Sequence, residues 1–149
     1  AMHSNGDSGR TEDVKIWGMW NILGEEVFGD ASQEELRPWY YTWSLMCRCF
    51  PAGCDILACE VPPCDGVRVA AARKDGAYSV AAVNFSQEPC DIEIVLPGDF
   101  AGGVMYRYTE CDRACDGRGM PMPCERGIGG RSFRTTLPAE SFVLLTNIE

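Results

Sequence analysis

Three of the nine cysteines in this chain lie close together in sequence and could bind a metal ion. Zinc prefers thiolate ligands, and structural zinc sites often begin with two cysteines separated by about two to four residues. Cys111 and Cys115 have such a spacing, and Cys124 follows in the same Gly/Pro-rich stretch. A fourth ligand is needed, and Cys90 would supply it if the fold brought it near. The alternative is three free thiols in a flexible loop, with no metal and no other cofactor.

Four other cysteines recur at every fifth position: Cys49, Cys54, Cys59 and Cys64. A period of five matches neither the repeat of a helix nor the two-residue repeat of a strand. We therefore interpret this spacing as coincidence. Because nine is an odd number, the cysteines cannot all pair within one chain. No signal peptide is recognised, so reduced thiols in a cytosolic protein are the expectation.

Paired carboxylates would perform acid–base chemistry, with one group on each side of a scissile bond. Two adjacent pairs lie in a polar stretch: Glu25-Glu26 and Glu34-Glu35. Neighbours on a loop rarely face a common substrate, so these acids are interpreted as solvated. Asp112, Asp116 and Glu125 lie further along the chain and would form a site only if the fold made them converge. No catalytic residue is assigned.

Nucleophilic catalysis and phosphate binding find little support in the sequence. His3 is the only histidine and lies in the polar N-terminal segment, where it has no expected partner nucleophile. The glycine-rich stretch Gly127-Ile128-Gly129-Gly130 is followed by a predicted strand. A phosphate loop needs a helix N-terminus at that point, so phosphate binding is not predicted.

Four aromatic side chains are candidates for carbohydrate binding, since sugars stack their C–H faces on exposed rings: Trp17, Trp20, Tyr106 and Tyr108. Tyr106 and Tyr108 are two positions apart on a predicted strand, so their side chains share one face. Trp17 and Trp20 are three positions apart and share a face of a short helix. The alternative is that all four are core residues.

Composition limits the partners that the chain can bind. The 149 residues carry a formal net charge of −9, and no basic stripe is present to neutralise phosphates. No apolar run reaches the roughly 18 residues that a membrane span requires. We therefore expect a cytoplasmic protein without nucleic-acid or membrane partners, whose charge serves solubility.

The first third of the chain is predicted to contain a disordered segment and a helical extension. Residues 1–13 are polar and Gly-rich, which is typical of a terminus that frays. Residues 14–53 form the extension, in which Pro38 opens a clear helix because its missing N–H has no partner at that position. Pro51 and Gly53 end this helix. Its apolar stripe is predicted to pack against a large surface and consists of Trp39, Tyr40, Trp43, Met46, Cys47 and Phe50.

Residues 54–149 have the pattern of short strands separated by turns. The predicted strands are Cys54–Cys59, Val67–Arg73, Ala77–Phe85, Asp91–Leu96, Gly103–Tyr108, Ser132–Thr136 and Ser141–Ile148. Asp75-Gly76 predicts a hairpin turn, and the strand after it is apolar on both faces and hence central. Residues 109–130 form a long loop, of a kind that is functional or mobile. We predict a mainly β protein, an antiparallel β-sandwich of about six to eight strands preceded by one or two α-helices.

Three stretches, taken in their order, resemble parts of glycoside hydrolases that are built on a (β/α)8 barrel. Residues 37–45 resemble the last barrel helix, and residues 67–85 resemble the opening hairpin of the C-terminal β-sandwich of such enzymes. Residues 106–146, with Asp116-Gly117-Arg118-Gly119 and Leu137-Pro138-Ala139-Glu140-Ser141, resemble its closing strands. The resemblance covers residues 14–149.

The resemblance implies a fold without an active site, because the paired acids of these enzymes lie on the barrel. It implies a non-catalytic accessory β-sandwich, as a fragment or a truncated relative of a glycoside hydrolase. The implied partner is the missing catalytic barrel, or a second copy of the chain that covers the apolar residues 14–50. Three alternatives remain open: a carbohydrate-binding module, a small cysteine-dependent metal-binding protein, and a complete enzyme in which the loop acids converge.

Overall fold

The computed structural model of the protein describes residues 19, 24–25, 29–34, 36, 38–109 and 111–148. The chain divides into two compact units, Ala1–Trp43 and Ser44–Glu149. The predicted frayed segment 1–13 lies outside the described residues. The predicted first helix also lies outside them, except for Met19.

The described part of the first unit contains a short 3-10 helix, Ala31–Gln33, and the start of helix α1 (Pro38–Cys49). Asp30 caps the 3-10 helix, since its Oδ1 accepts a hydrogen bond from the backbone N–H of Ser32 at 2.9 Å. Helix α1 begins at the predicted proline and ends one residue before Phe50, so both of its predicted boundaries are confirmed to within a residue or two.

The second unit contains one six-stranded antiparallel sheet, with strand order β1-β2-β3-β6-β4-β5. The strands are β1 (Asp55–Leu57), β2 (Val67–Lys74), β3 (Ala77–Asn84), β4 (Cys90–Tyr108), β5 (Glu125–Leu137) and β6 (Ser141–Thr146). The predicted mainly β, antiparallel fold is confirmed. The last strand lies in the interior of the sheet, between β3 and β4, rather than at an edge.

The predicted hairpin between β2 and β3 is present. Lys74 pairs with Ala77, so the loop consists of two residues, Asp75 and Gly76. Both have positive φ angles, 51° and 83°, which is the requirement of a type I′ turn. Asp-Gly tolerates these angles, so the local sequence alone determines this turn.

A bend in β4 turns the single sheet into a two-layered structure. The sequence predicted two strands here, Asp91–Leu96 and Gly103–Tyr108; the structure shows one strand whose pairing with β5 shifts register between Val95 and Val104. A Cβ on Gly103 would lie 1.9 Å from Cε1 of Phe100, so glycine is required where the Phe100 ring folds back. Bulges of this kind bend a strand and increase its twist.

The bend folds the outer parts of β4 and β5 over one face of β2, β3 and β6, so the sheet encloses a core. Residues from both layers form it: Val67, Ala71, Tyr78, Val80, Ala82, Leu96, Phe100, Met105, Leu137, Val143 and Leu145. Phe100 and Phe133 meet edge-on in the covering layer, with ring centroids 5.2 Å apart. The sandwich-like character of the fold thus comes from one continuous sheet.

The opposite face of the sheet is covered by the C-terminal half of α1. Leu45 and Cys49, one helical turn apart, pack in a cluster with Ala81, Phe142 and Leu144. Strands β3 and β6 therefore bury side chains on both faces, as predicted for the strand after the hairpin.

The predicted apolar stripe of α1 is wrong in part. Met46 and Phe50 do pack near the sheet, but the buried contacts come from Leu45 and Cys49, which the predicted stripe omitted. Trp39 is 43% exposed and Trp43 is 54% exposed. The physical reason is that the sheet supplies large side chains, Phe142 and Tyr106, so that smaller helix residues fill the remaining space.

Candidate functional site

The described part of the β4–β5 connection, residues 109–124, is compact rather than structureless. Two isolated β-bridges form in it: Tyr108–Arg113 and Cys115–Pro121. Asp116 Oδ1 accepts hydrogen bonds from the backbone N–H groups of Arg118 (2.8 Å) and Met120 (2.9 Å). Residues 125–130, which were predicted to belong to the loop, form the start of β5. Asp116 therefore stabilises a turn, as short acidic side chains commonly do.

The loop cysteines are not assembled into a metal site. Cys111 and Cys124 are exposed, and Cys115 is half-buried. Cys124 Sγ donates to the carbonyl oxygen of Met105 at 3.3 Å. No group of three or more His, Cys, Asp or Glu side chains among the described residues has an arrangement that could hold a metal ion.

The loop acids do not converge either. Asp112 and Asp116 are both exposed, and Glu125 is exposed on β5 opposite Met105. In the first unit, Glu34 Oε1 accepts from the backbone N–H of Glu25 at 3.3 Å, so this carboxylate stabilises a local turn. Glu26, Glu35 and His3 lie outside the described residues. Among the described acids, none is buried.

Of the candidate sugar-binding aromatics, Tyr106 is a core residue with 8% of its surface exposed. The guanidinium carbon of Arg48 lies 5.1 Å from the centroid of its ring, so a cation–π contact covers it. Tyr108 is half-buried and packs against the same cluster, which confirms that the two tyrosines share a face. Trp17 and Trp20 lie outside the described residues.

Asn84 is the centre of a buried polar cluster that the sequence did not indicate. Its side-chain N–H groups donate to the carbonyl oxygens of Glu88 (2.8 Å), Pro138 (3.0 Å) and Leu137 (3.3 Å). Its Oδ1 accepts from the backbone N–H and the hydroxyl of Ser86, at 3.0 and 2.7 Å. One buried amide thus connects the β3–β4 turn to the β5–β6 turn.

A second feature missed from the sequence is a pair of thiols. Cys64, in the β1–β2 connection, and Cys90, the first residue of β4, have their Sγ atoms 3.5 Å apart. Hydrogen bonding to Cys64, followed by partial burial, raises the pKa of Cys90 above its ordinary value. The five-residue spacing of the cysteines gave no signal of this contact, because the contact depends on the folding of the outer layer.

Another cysteine with a raised pKa, Cys49, lies in the interface between the C-terminal half of α1 and the sheet. Burial is the main reason that its pKa is raised, and hydrogen bonds to Arg48 and Thr146 oppose the shift in part. Cys49 therefore acts here as a small apolar side chain with a weak S–H donor.

Comparison with known proteins gives matches at the level of structure only. No protein-family model matches the chain, and no curated protein matches it. A family 30 glycoside hydrolase (GH30) endoxylanase from Clostridium papyrosolvens C71 has a TM-score of 0.61 at 18% identity; the match covers 79% of this chain and 29% of the xylanase. A GH30 subfamily 8 xylanase from Clostridium acetobutylicum has a TM-score of 0.63 at 12% identity, covering 87% of this chain and 30% of the xylanase.

The catalytic domain of GH30 xylanase C from Talaromyces cellulolyticus has a TM-score of 0.63 at 18% identity, and the match covers 87% of this chain and 27% of that domain. At these identities the likeness establishes the fold. The chain therefore spans about three tenths of the length of the xylanase chains it matches, with the fold of that part. The predicted structural resemblance to a glycoside hydrolase is confirmed, and the share covered is consistent with its C-terminal β-domain. Within the described residues, no helix is both long and apolar enough to cross a membrane.

Proposed function

We propose that this chain is a non-catalytic accessory β-domain related to glycoside hydrolases, and that its partner is a (β/α)8 catalytic barrel. The proposal rests on how much of each chain is aligned: most of this chain matches less than a third of each xylanase chain. An accessory domain contributes buried apolar area at an interface and needs no reacting groups of its own.

The surface that would meet the barrel is marked by Trp39 and Trp43 on α1. The two residues are four positions apart, so they share one face of the helix. At 3.6 residues per turn, Leu45 and Cys49 lie about a third of a turn round the helix from that face. Two tryptophans that are 43% and 54% exposed form a large apolar surface for a small protein. Covering them would remove apolar area from water, which is the general source of stability at permanent interfaces.

The positions of the described acidic residues favour an accessory role over catalysis. Hydrolysis of a glycosidic bond requires two carboxyl groups about 5–10 Å apart, one of them with a raised pKa. The candidates Asp112 and Asp116 are exposed, and Asp116 already accepts two backbone hydrogen bonds. Tyr106 offers no stacking surface for a sugar, because its ring is buried and in contact with Arg48.

Hydrolysis assays with the purified chain test the proposal. Glucuronoxylan, arabinoxylan and β-1,4-glucan would be the substrates, with a family 30 xylanase as the positive control. We expect no reducing sugar above the buffer blank and no change in tryptophan fluorescence with these glycans. Turnover that co-elutes with the chain, and that is abolished by D112N, D116N or E125Q, would show a complete enzyme and overturn the proposal.

A further inference from the structure

The thiols of Cys64 and Cys90 are adjacent although the residues are 26 positions apart, with Cys64 in the β1–β2 connection and Cys90 at the start of β4. Their Sγ atoms lie 3.5 Å apart with both thiols free. Cys64 is exposed, in a connection whose residues 58–65 are all exposed. Cys90 is half-buried at the rim of the core, where it packs against the buried cluster.

Backbone contacts on each side hold this pair in place. The carbonyl oxygen of Cys64 accepts from Val67 N at 3.3 Å, which fixes the residues just before β2. Gly66 has a φ of 88°, and a Cβ at that position would lie 2.7 Å from the Cβ of Ser86, so the chain passes close to the β3–β4 turn. Cys90 pairs with Leu137 in the β4–β5 ladder. The two sulfur atoms therefore meet from anchored backbones rather than from two mobile loops.

We propose that Cys64 and Cys90 form a reversible disulfide, and that low-molecular-weight disulfides such as oxidised glutathione are the oxidant. The thiolate of Cys64 attacks one sulfur of the oxidant, forming a mixed disulfide and releasing one thiolate. Deprotonated Cys90 then attacks the sulfur of Cys64, which forms the protein disulfide and releases the second thiol. In sum, two protein thiols are oxidised and one small disulfide is reduced to two thiols.

The positions of the two thiols set this order of attack. Cys64 is exposed and open to a small oxidant, whereas Cys90 is half-buried beside it and is positioned to resolve the mixed disulfide. The hydrogen bond to Cys64 raises the pKa of Cys90, which lowers the share of reactive thiolate at Cys90 and agrees with a resolving role. A neighbouring resolving cysteine is the usual feature of thiols that oxidise reversibly.

The bond would connect the start of β2 to the covering layer of β4 and β5. In the sheet these strands are separated by β3 and β6, so no backbone ladder joins β2 to β4. The disulfide would restrict the unfolded chain across a 26-residue separation. The oxidised form is therefore the more stable form, and the exposed connection before β2 becomes less accessible to proteases.

Peptide mapping after oxidation tests the pairing directly. The reduced full-length chain would be treated with oxidised glutathione, and the remaining thiols would be alkylated at low pH. Cleavage after Glu60, Arg68, Lys74 and Glu93 releases peptides 61–68 and 75–93, each with a single cysteine. We expect these two peptides to be joined as the first protein disulfide. A first disulfide that joins any other two cysteines, or only glutathione adducts at both, would overturn the proposal.

Thermal unfolding provides an independent readout. We expect oxidation to raise the unfolding midpoint by roughly 5–10 °C, and the rise to vanish in C64S and in C90S. The matched control is C59S, in the same exposed connection, which keeps the rise. If C64S and the wild type, both reduced, unfold at the same midpoint temperature, the variant is correctly folded. A rise that persists in C64S would show that the stabilisation comes from another pair.

Discussion

Ser79 Oγ and Thr146 Oγ1 lie 2.6 Å apart between the paired strands β3 and β6, and both residues are fully buried on the face that α1 covers. Two hydroxyl groups that water would otherwise solvate are thus satisfied by each other and by the backbone N–H of Ile148, which donates to Thr146 Oγ1 at 3.0 Å. This pairing allows a helix to pack on polar positions of the sheet, because a buried hydroxyl without a partner is costly.

The two hydroxyls of this pair are expected to be energetically coupled. S79A leaves the Thr146 hydroxyl with one partner fewer and should lower the free energy of unfolding by about 1–2 kcal/mol. The double variant S79A/T146V should lose less than the sum of the two single losses, since no orphaned hydroxyl remains. Urea unfolding of the four proteins measures the coupling. Strictly additive losses would show that the two hydroxyls do not interact.

Asn84 is expected to be the most sensitive polar residue of the β-domain. N84A removes the amide that joins the β3–β4 and β5–β6 turns, and the carbonyl oxygens of Glu88, Leu137 and Pro138 each lose a donor. We expect a loss of about 2–3 kcal/mol in unfolding free energy. The control is Q87A, because the Gln87 side chain donates to Glu140 at the exposed surface and its loss should cost about 0.5 kcal/mol or less. Similar losses for both variants would contradict the role given to Asn84.

Substitutions on the two faces of α1 are expected to differ strongly in how much they destabilise the protein. L45A creates a cavity against Phe142 and Leu144 and should cost about 2–4 kcal/mol of unfolding free energy. W43S changes a side chain that is 54% exposed and should alter stability by only about 0.5 kcal/mol or less. Equal destabilisation by the two variants, measured by chemical denaturation, would mean that Trp43 belongs to the core.

The exposed tryptophans are expected to drive self-association when no barrel covers them. Light scattering of the isolated chain should show a mass that rises with concentration, because a second copy can bury the same apolar surface. W39S/W43S should shift the equilibrium toward monomer by at least roughly tenfold in dissociation constant. V95S is the matched control, since Val95 is 70% exposed and belongs to β4 rather than to α1. A strictly monomeric wild type at high concentration would contradict the hypothesis.

Acid is expected to weaken the covering layer through Glu93. The Ser132 hydroxyl donates to this carboxylate and Arg134 lies 3.6 Å from it, and together they hold the pKa of Glu93 below its ordinary value of 4.5. A lowered pKa means that the contribution to stability is complete above pH 4.5 and is lost as pH falls through the folded-state value. The effect is small, because Glu93 is exposed to solvent and screened by salt.

The variant E93Q isolates this contribution. Between about pH 5 and pH 3, the unfolding free energy of the wild type should fall more steeply than that of E93Q, and added salt should narrow the gap. S132A should give an intermediate slope, since it removes the hydrogen bond that lowers the pKa of Glu93 most and keeps Arg134. Parallel pH profiles for wild type and E93Q would exclude a role for this ion pair.

The start of the helix and the hairpin turn were predictable from the sequence, whereas contacts between the two layers were not. Pro38 determines where α1 begins and Asp75-Gly76 determines the hairpin turn, because each acts through its own backbone angles. The bend of β4 depends on the Phe100 ring folding over Gly103, and no periodicity reports such a contact.

The same difference between local features and long-range contacts applies to the candidate site. The spacing of Cys111 and Cys115 left a zinc site and free thiols as two alternatives, and the sequence did not indicate the bridge between Cys115 and Pro121 or the turn around Asp116. The neighbouring thiols are instead Cys64 and Cys90, which meet only once the outer layer has folded over. The spacing of the cysteines along the chain therefore gave no sign of the pair whose thiols are in contact.

The composition of the native species that carries this chain tests the accessory-domain proposal most directly. Antibodies against residues 54–149 would isolate that species under non-denaturing conditions, and mass spectrometry would give its intact mass and peptide sequences. We expect a (β/α)8 barrel with the paired acids of a glycoside hydrolase, either in the same polypeptide or as a one-to-one partner, with Trp39 and Trp43 protected from oxidative labelling. A native species that consists only of copies of this chain, with both tryptophans labelled as in the isolated protein, would contradict the proposal.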